Sequence, residues 1–278
     1  MSDRKFEKQS QDFLRIMDIL EEGITVEMIM TEPAHCVDPD KPVSSVLEDP
    51  ELSGFDCFPV RAQAENGNLS IIGAVFRSDD RQPNLPAKEA MRPLHQVPLV
   101  GSRDSVDRLI RLMHERKEYY FLVLHESRVS GIVTRSDLDR LPVRLLLISR
   151  IVHAEQIMTM ILNRCAETRS DWFAQLSGGR QKAVRGVQDR NRASGDDLEL
   201  IECLYLCDKL TLLDRLAGLR EVKQSLSSME KLRNRLMHAR EADDDDESLA
   251  KMIERAVKID QAIELMEQHL AEQEEQET

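Results

Sequence analysis

Arg233 and His238 are two side chains suited to anion binding and proton transfer. Four residues separate them, and Asn234 follows the arginine directly. A histidine exchanges protons near neutral pH, and a guanidinium offers a fixed charge with several donors to an anion. On a helix, Asn234 lies on nearly the same face as His238, four residues away, and can orient its imidazole. Acid–base chemistry beside an anion is therefore the first chemistry that the sequence suggests.

The apolar pattern predicts a helix over residues 221–238 that carries this motif. Arg233 falls in the middle of its apolar face, which is formed by Val222, Leu226, Met229, Leu236 and Met237. A buried guanidinium needs a partner. Glu155 interrupts the apolar stripe of another predicted helix, at 144–165, whose expected core face consists of Leu145, Ile148, Ile151, Val152, Met158 and Leu162. We predict that Arg233 and Glu155 lie within about 8 Å of each other; alternatively, each lies at the edge of its stripe and reaches water.

The R-x4-H arrangement, its asparagine and the surrounding helical pattern resemble the HEPN family over residues 144–272. HEPN domains are helical bundles, and many are metal-independent ribonucleases. The resemblance implies that an RNA phosphodiester is cleaved by its own 2′-hydroxyl without a catalytic cofactor. His238 would act as acid or base, Arg233 would stabilise the phosphate charge, Asn234 would orient either group, and Glu155 would support them.

A single helix does not aim both motif residues at one phosphate, because five positions correspond to about 140° around the axis. The resemblance therefore implies a composite cleft in a homodimer or a higher even oligomer. Structural roles remain open. Arg233 can serve as an ion-pair partner, His238 can interact with the helix dipole, and many HEPN domains are not catalytic. A toxin-like ribonuclease would act on RNA and could have an antitoxin partner, which the sequence does not decide.

The first half of the chain repeats itself with a period near 60 residues. The segment IGAVFRSD at 72–79 recurs as SGIVTRSD at 130–137. Each copy is predicted as strand, helix, strand, strand, helix, with the helix clearest at 105–113, and two copies indicate a pseudo-twofold pair. The pattern resembles a tandem CBS-domain pair (Bateman module) over residues 23–143, with repeats at about 23–82 and 83–143.

This second resemblance implies a regulatory adenine nucleotide, such as AMP, ADP or ATP. Thr134 would donate to a phosphate, and Asp137 would accept from a ribose hydroxyl. A helix that begins after the strand would present free amides to the anion. The adenine would lie near Val97 and Tyr120.

The first copy departs from the motif, because Phe76 stands where the second copy has Thr134, although Asp79 remains. We therefore expect at most one well-formed nucleotide site per pair, built around the second copy. The alternative is an empty structural dimeriser in which Thr134 only caps a helix.

Composition narrows the classes of partner. A net charge of −13 argues against holding nucleic acid by bulk charge, although a local phosphate site remains compatible. Basic residues and the single tryptophan, Trp172, share a predicted connection over 166–196, and a loop of that length is usually functional or disordered. Cys203 and Cys207 lack the further ligands of a zinc site, so we expect core thiols and no metal.

The sequence also bears on location. The N-terminus lacks the apolar segment of a signal peptide, and no apolar run approaches the roughly 18–20 residues of a membrane span. We expect a cytoplasmic protein without membrane contact.

The expected fold class is α+β. An N-terminal helical extension (1–22) precedes the tandem CBS module (23–143), an all-α HEPN-like bundle of four to five helices (144–272) and a frayed acidic tail (273–278). Helices are predicted over 144–165, 197–217, 221–238 and 248–270. The expected function is a nucleotide-sensing regulator whose CBS pair controls a HEPN endoribonuclease dimer. The alternative is a non-catalytic ligand-sensing or scaffold dimer with an inactive HEPN domain.

Overall fold

The computed structural model describes residues 15–17, 19–63, 69–79, 83–237 and 246–276. The chain divides into two compact units. One comprises residues 21–143 and is called the N-terminal unit here; the other comprises residues 1–20 and 144–278 and is called the helical unit. Most of the expected extension, residues 1–14, lies outside the described residues, as does His238; residues 19–23 are helical.

The N-terminal unit contains two three-stranded sheets. The first has the order β1-β2-β3 with antiparallel neighbours, and in the second β4 pairs parallel and β6 antiparallel with β5. The strands are β1 (Cys57–Gln63), β2 (Leu69–Phe76), β3 (Arg92–Pro93), β4 (Leu99–Gly101), β5 (Tyr120–His125) and β6 (Arg128–Thr134). The helices are α1 (Val43–Leu47), α2 (Ala87–Ala90) and α3 (Val106–Arg116).

Helix α3 forms where the sequence predicts it. The Ser105 hydroxyl accepts from the amide of Arg108 at 3.2 Å and caps the first turn. Its buried side chains recur at helical spacing, at Val106, Leu109, Ile110 and Met113. The helix ends at Lys117, which adopts a left-handed conformation with φ 54°.

Each copy of the repeat places its opening segment against the other copy. The amide of Val26 donates to the carbonyl of Asp104 at 2.9 Å, and the amide of Ala87, its equivalent, donates to the carbonyl of Lys41 at 2.8 Å. These matched bonds follow the internal repeat seen in the sequence. Neither copy satisfies its backbone groups alone, so the two form one packed unit.

Glycine is required at the crossing of the copies. A Cβ on Gly73 would lie 2.3 Å from the carbonyl oxygen of Arg92, and a Cβ on Gly131 would lie 2.7 Å from that of Thr31. Both distances are far below van der Waals contact, so any side chain would push the paired segments apart. This close approach explains why both copies of the motif contain glycine.

The two copies are not equally regular. The opening strand of the first copy is reduced to one bridge between Val37 and Val60, whereas β4 forms in the second copy. The closing helix predicted for each copy is a single 3-10 turn, Arg77–Asp79 in the first and Arg135–Asp139 in the second. In the second copy Arg140 is extended, with φ −68° and ψ 151°, and this separates the turn from the helix that follows.

Besides the helical residues 15–17 and 19–20, the helical unit contains six α-helices within the described residues. They are α4 (Leu141–Thr168, whose first turn belongs to the N-terminal unit), α5 (Gly178–Ala193), α6 (Leu206–Leu212), α7 (Arg220–Leu226), α8 (Met229–Met237) and α9 (Asp246–Gln276). A 3-10 turn covers Trp172–Gln175, and a π-helical turn covers Leu213–Ala217. Helix α9 packs against α7 and α8. It reaches Gln276, so the tail expected to fray is helical up to that residue.

Three predicted elements of this unit differ from the structure. The expected long connection at 166–196 contains helix α5, and the helix expected from residue 197 begins only at Leu206. There, the Asp208 carboxylate accepts from the amide of Tyr205 at 3.2 Å and starts the helix. The helix expected over 221–238 breaks at Ser227, whose hydroxyl donates to the carbonyl of Gln224 at 2.8 Å, a local bond that competes with helical continuation.

Helix α4 buries a different stripe from the one predicted. Leu145 and Val152, expected in the core, are 51% and 41% exposed. The buried stripe instead contains Arg150, at 1% exposure, whose Nη1 lies 3.1 Å from Asp260 Oδ1 on α9. The expectation of core thiols is also only half correct, since Cys203 is buried but Cys207 is exposed.

Among the described helices, α4 is long and apolar enough to cross a membrane by length and composition alone. The sequence expectation was based only on uninterrupted apolar runs and did not anticipate this helix, which meets the test by its mean hydropathy although it contains Arg144, Arg150 and Glu155. Its most apolar window is 56% buried inside the chain. Core helices of soluble proteins pass the same test, so this helix is weak evidence for a span.

Candidate functional site

Thr134 and Asp137 form a closed hydrogen-bonded pair at the end of strand β6. Asp137 Oδ2 accepts from the backbone amide of Thr134 at 2.8 Å and from its hydroxyl at 3.0 Å. Asp137 Oδ1 lies 2.8 Å from Arg140 Nη2. Burial raises the pKa of Asp137 above its ordinary value, and the bonds from Thr134 and the charge of Arg140 offset this only in part.

This geometry sets what the pair can offer a ligand. A carboxylate has roughly four acceptor positions, and the three contacts leave about one for a ribose hydroxyl. Thr134 has a single hydroxyl proton, which it donates to Asp137. To bind a phosphate oxygen, Thr134 must turn that proton away from Asp137.

The two predicted adenine contacts lie in the same apolar cluster. Val97 is buried and Tyr120 is half-buried, and both pack in a cluster that includes Phe76. Tyr120 also pairs with Thr134 across β5 and β6. Tyr120 on β5 is therefore directly opposite Thr134 on β6.

Phe76, which has the motif position of Thr134 in the first copy, is packed inside the protein. Its ring is 1% exposed and lies 4.5 Å from the Tyr120 ring, between centroids. The Arg92 guanidinium carbon lies 4.5 Å from the centroid of Phe76, and Arg92 Nη1 donates to Tyr120 Oη at 3.4 Å. Burial raises the pKa of Tyr120, so its hydroxyl stays protonated at neutral pH.

The arginine that follows Phe76 has a structural role. Arg77 donates to three backbone carbonyls, those of Phe55 at 3.0 Å, Leu47 at 3.2 Å and Leu52 at 2.9 Å. These bonds tie the loop before β1 to the end of β2. The side chain of Asp79 lies outside the described residues.

Arg233 and Glu155 contact each other as predicted. Arg233 Nη1 lies 3.8 Å from Glu155 Oε1. The prediction that Arg233 is buried in an apolar face is wrong, because its side chain is 43% exposed and that of Glu155 32%. Asn234 is exposed on the next position of α8, and Met237, expected on the apolar face, is 64% exposed.

Lys209 is a further charged residue near Glu155, and the sequence did not reveal it. Its Nζ donates to the Thr159 hydroxyl at 2.9 Å, one turn beyond Glu155 on α4. Burial lowers the pKa of Lys209, and the charge of Glu155 opposes that shift. Lys209 is distant in sequence from both partners, so no local pattern could have indicated it.

The described residues contain no group of three or more side chains that could hold a metal ion. Glu155, Arg233 and Lys209 form a group of charged side chains, in which Glu155 lies near both cations. The guanidinium is partly exposed and contacts its carboxylate at one edge, so its other donors can meet an anion from solvent.

A family model of the CBS domain matches residues 87–144. The chain contains a CBS domain. The matched segment includes Thr134, Asp137, Val97 and Tyr120. No curated protein matches the chain.

Three solved structures each resemble less than half of the chain. An uncharacterized conserved protein from Pyrococcus horikoshii is 19% identical with a TM-score of 0.36, covering 42% of this chain and 90% of that one. The CBS domain of a bacterial CNNM/CorC family Mg2+ transporter in complex with ATP is 18% identical with a TM-score of 0.36, covering 47% and 94%. CBSX2 in complex with AMP is 22% identical with a TM-score of 0.36, covering 44% and 98%. At these values the likeness carries no argument about ligand or activity.

Proposed function

We propose that the protein is a regulator that senses an adenine nucleotide through a tandem CBS pair spanning residues 23–143. The observation that carries this proposal is the Thr134–Asp137 pair at the end of β6, with Tyr120 as its register neighbour. Asp137 keeps one acceptor position for a ribose hydroxyl. When the ligand binds, the Thr134 hydroxyl donates its hydrogen bond to a phosphate oxygen instead of to Asp137. Val97 and Tyr120 provide the apolar surface for the base.

The tandem CBS pair holds one nucleotide, at the site in its second copy. In the first copy Phe76 occupies the position of the phosphate-binding hydroxyl and packs on Tyr120. A buried aromatic ring cannot bind phosphate, and removing it would leave a costly cavity.

A thermal-shift titration tests this site. AMP, ADP and ATP are each added to the wild-type full chain. At least one of them should raise the melting temperature, since a ligand at 100 times its Kd adds about 2.7 kcal/mol to the free energy of unfolding. Asp137→Ala should lose the shift, and Asp79→Ala, the matched change in the first copy, should keep it. Equal shifts in wild type and Asp137→Ala would refute the site.

We propose further that residues 144–272 form a HEPN-like endoribonuclease, metal-independent and active as a cytoplasmic homodimer or higher even oligomer. Support comes from Arg233, whose Nη1 lies 3.8 Å from Glu155 and whose side chain is 43% exposed. His238 serves as acid or base while the 2′-hydroxyl of the RNA attacks the phosphodiester, and Asn234 orients the reacting groups. The arrangement needs no cofactor, and a toxin-like enzyme of this kind would pair with an antitoxin.

The alternative is a non-catalytic ligand-sensing or scaffold dimer. A specific observation favours it: Thr134, Asp137 and Arg233 each have a partner within the chain. Such residues can be structural caps and ion pairs without any ligand.

Incubation of the full chain with tRNA or total RNA in the presence of a chelator separates these functions. The enzyme should cleave RNA despite the chelator, and His238→Ala should abolish cleavage. His269→Ala, which removes another histidine of the same unit, should cleave as wild type does. Absence of cleavage by the wild type, with and without nucleotide, would support the scaffold.

A further inference from the structure

Helix α5 carries an exposed basic face in a strongly acidic protein. Four exposed cations lie on it, Lys182, Arg185, Arg190 and Arg192. One exposed acidic residue, Asp189, lies on the same face, one turn beyond Arg185, so the face keeps an excess of positive charge. The whole chain, by contrast, has 51 acidic and 38 basic residues. Val184, on the opposite side of the helix, is buried, so the helix is anchored while its cations face solvent.

The charge is strongest in the first half of the helix. Arg192 lies 3.4 Å from the carboxylate of Asp197, which neutralises part of the charge near the end. Lys182 and Arg185 are three positions apart and therefore share one side of the helix. A negative group meets its strongest attraction at these two side chains.

Aromatic rings lie beside Arg185, one of these cations, and beside Arg180 of the same helix. Trp172 and Phe173 pack edge to face at 5.4 Å just before α5, and the Arg185 guanidinium lies 5.3 Å from the Phe173 ring centroid. Arg180, held by Asp208 through bonds of 2.8 and 2.7 Å, lies 4.9 Å from the ring of Tyr205. Tyr205 is 48% exposed. Arg180 is two positions before Lys182, about 160° away around the helix, so Arg180 and Tyr205 lie on another side of α5, whereas Phe173 borders the basic face at Arg185.

We propose that the α5 basic face, together with the neighbouring rings of Trp172 and Phe173, binds single-stranded RNA. Lys182 and Arg185 contact successive phosphates, and the bases stack on the rings, as occurs where strands bind without sequence readout. Phosphates alone would need only the cations, whereas partly exposed rings beside them fit a strand with unpaired bases. The choice of RNA rests on the proposed ribonuclease, but the binding itself requires no cleavage.

Anisotropy of a labelled 2′-O-methyl RNA strand tests the proposal, because such a strand lacks the attacking hydroxyl and stays intact. Affinity of the full chain is measured from about 50 to 300 mM salt. Each phosphate contact contributes roughly 0.7 to the slope of log affinity against log salt, so Lys182→Gln/Arg185→Gln should lower that slope by about 1.4. The double change Arg103→Gln/Arg116→Gln removes two exposed charges from the N-terminal unit and should leave the slope unchanged.

A ring variant separates stacking from charge. Trp172→Ala should weaken binding about tenfold while keeping the salt slope, because stacking releases no counterions. The charge variants alter exposed positions and should melt at the wild-type temperature, so a loss of binding in them is not a loss of folding.

An unchanged slope in Lys182→Gln/Arg185→Gln, or competition by polyglutamate as effective as that by polyuridine, would overturn the proposal. If ordinary RNA is cleaved although this binding is absent, the proposed ribonuclease is supported and the RNA-binding surface is refuted. If RNA binds as expected but is never cleaved, the surface is supported and the ribonuclease is refuted.

Discussion

Arg150 is the least exposed charged side chain among the described residues. Both oxygens of Asp260 lie 3.1 to 3.2 Å from its Nη1, and the pair joins α4 to α9. One turn further along α4, His153 lies 3.8 Å from Glu267 of α9; burial lowers the pKa of His153 despite that carboxylate. The apolar patterns predicted a buried pair at Arg233 and Glu155, where the structure has a half-exposed one.

Removal of one member of the buried pair should be far more costly than removal of both. Arg150→Ala leaves Asp260 without its partner and should lower the free energy of unfolding by about 3–5 kcal/mol, whereas Arg150→Met/Asp260→Leu should recover most of that loss. Urea denaturation measures both values.

Arg233→Met is the matched control at the half-exposed pair, where a change below about 1 kcal/mol is expected. If Arg150→Ala costs no more than this control, the buried pair does not stabilise the packing of α4 on α9.

At the scale of elements, the strand crossings in the N-terminal unit depend on two glycines. Gly73 and Gly131 lie under carbonyl oxygens of the opposite copy. Gly73→Ala and Gly131→Ala should each lower the free energy of unfolding by about 1–3 kcal/mol, the usual cost of overpacking. The Gly73 variant should be the worse of the two, since its Cβ would come closer to backbone, at 2.3 rather than 2.7 Å.

Gly178→Ala supplies the control for this prediction. A Cβ there meets nothing within 4 Å, so the change should stay within about 0.5 kcal/mol. Equal effects of the three substitutions in urea denaturation would contradict the steric explanation.

Elements with regular apolar spacing were predictable, and elements started by a local bond were not. Helices α3 and α9 appear close to their predicted positions because their buried side chains recur every three to four residues. Helix α5 has a single buried side chain, Val184, so its periodicity is faint. The break at Ser227 and the start at Tyr205 depend on hydrogen bonds that spacing alone does not indicate.

At the scale of the whole molecule, the proposed functions predict coupling between the nucleotide and RNA cleavage. The nucleotide found by thermal shift should change the wild-type cleavage rate, because a ligand that favours one arrangement of a dimer shifts its population. Asp137→Ala should cleave at one rate with and without that nucleotide. Initial rates on a labelled RNA measure this, and an equal response in both proteins would show that the ligand acts elsewhere.

The sequence by itself determined the internal repeat, the helical second half and the identities of the candidate residues, because repetition and apolar spacing are properties of order along the chain. It also indicated that Arg233 and Glu155 meet, since each interrupts an apolar stripe. Only the tertiary structure decided which charges are buried, that Phe76 packs on Tyr120, and that Lys209 stands near Glu155. These contacts join residues far apart in sequence, and their geometry depends on how whole helices and sheets pack, which no local pattern encodes.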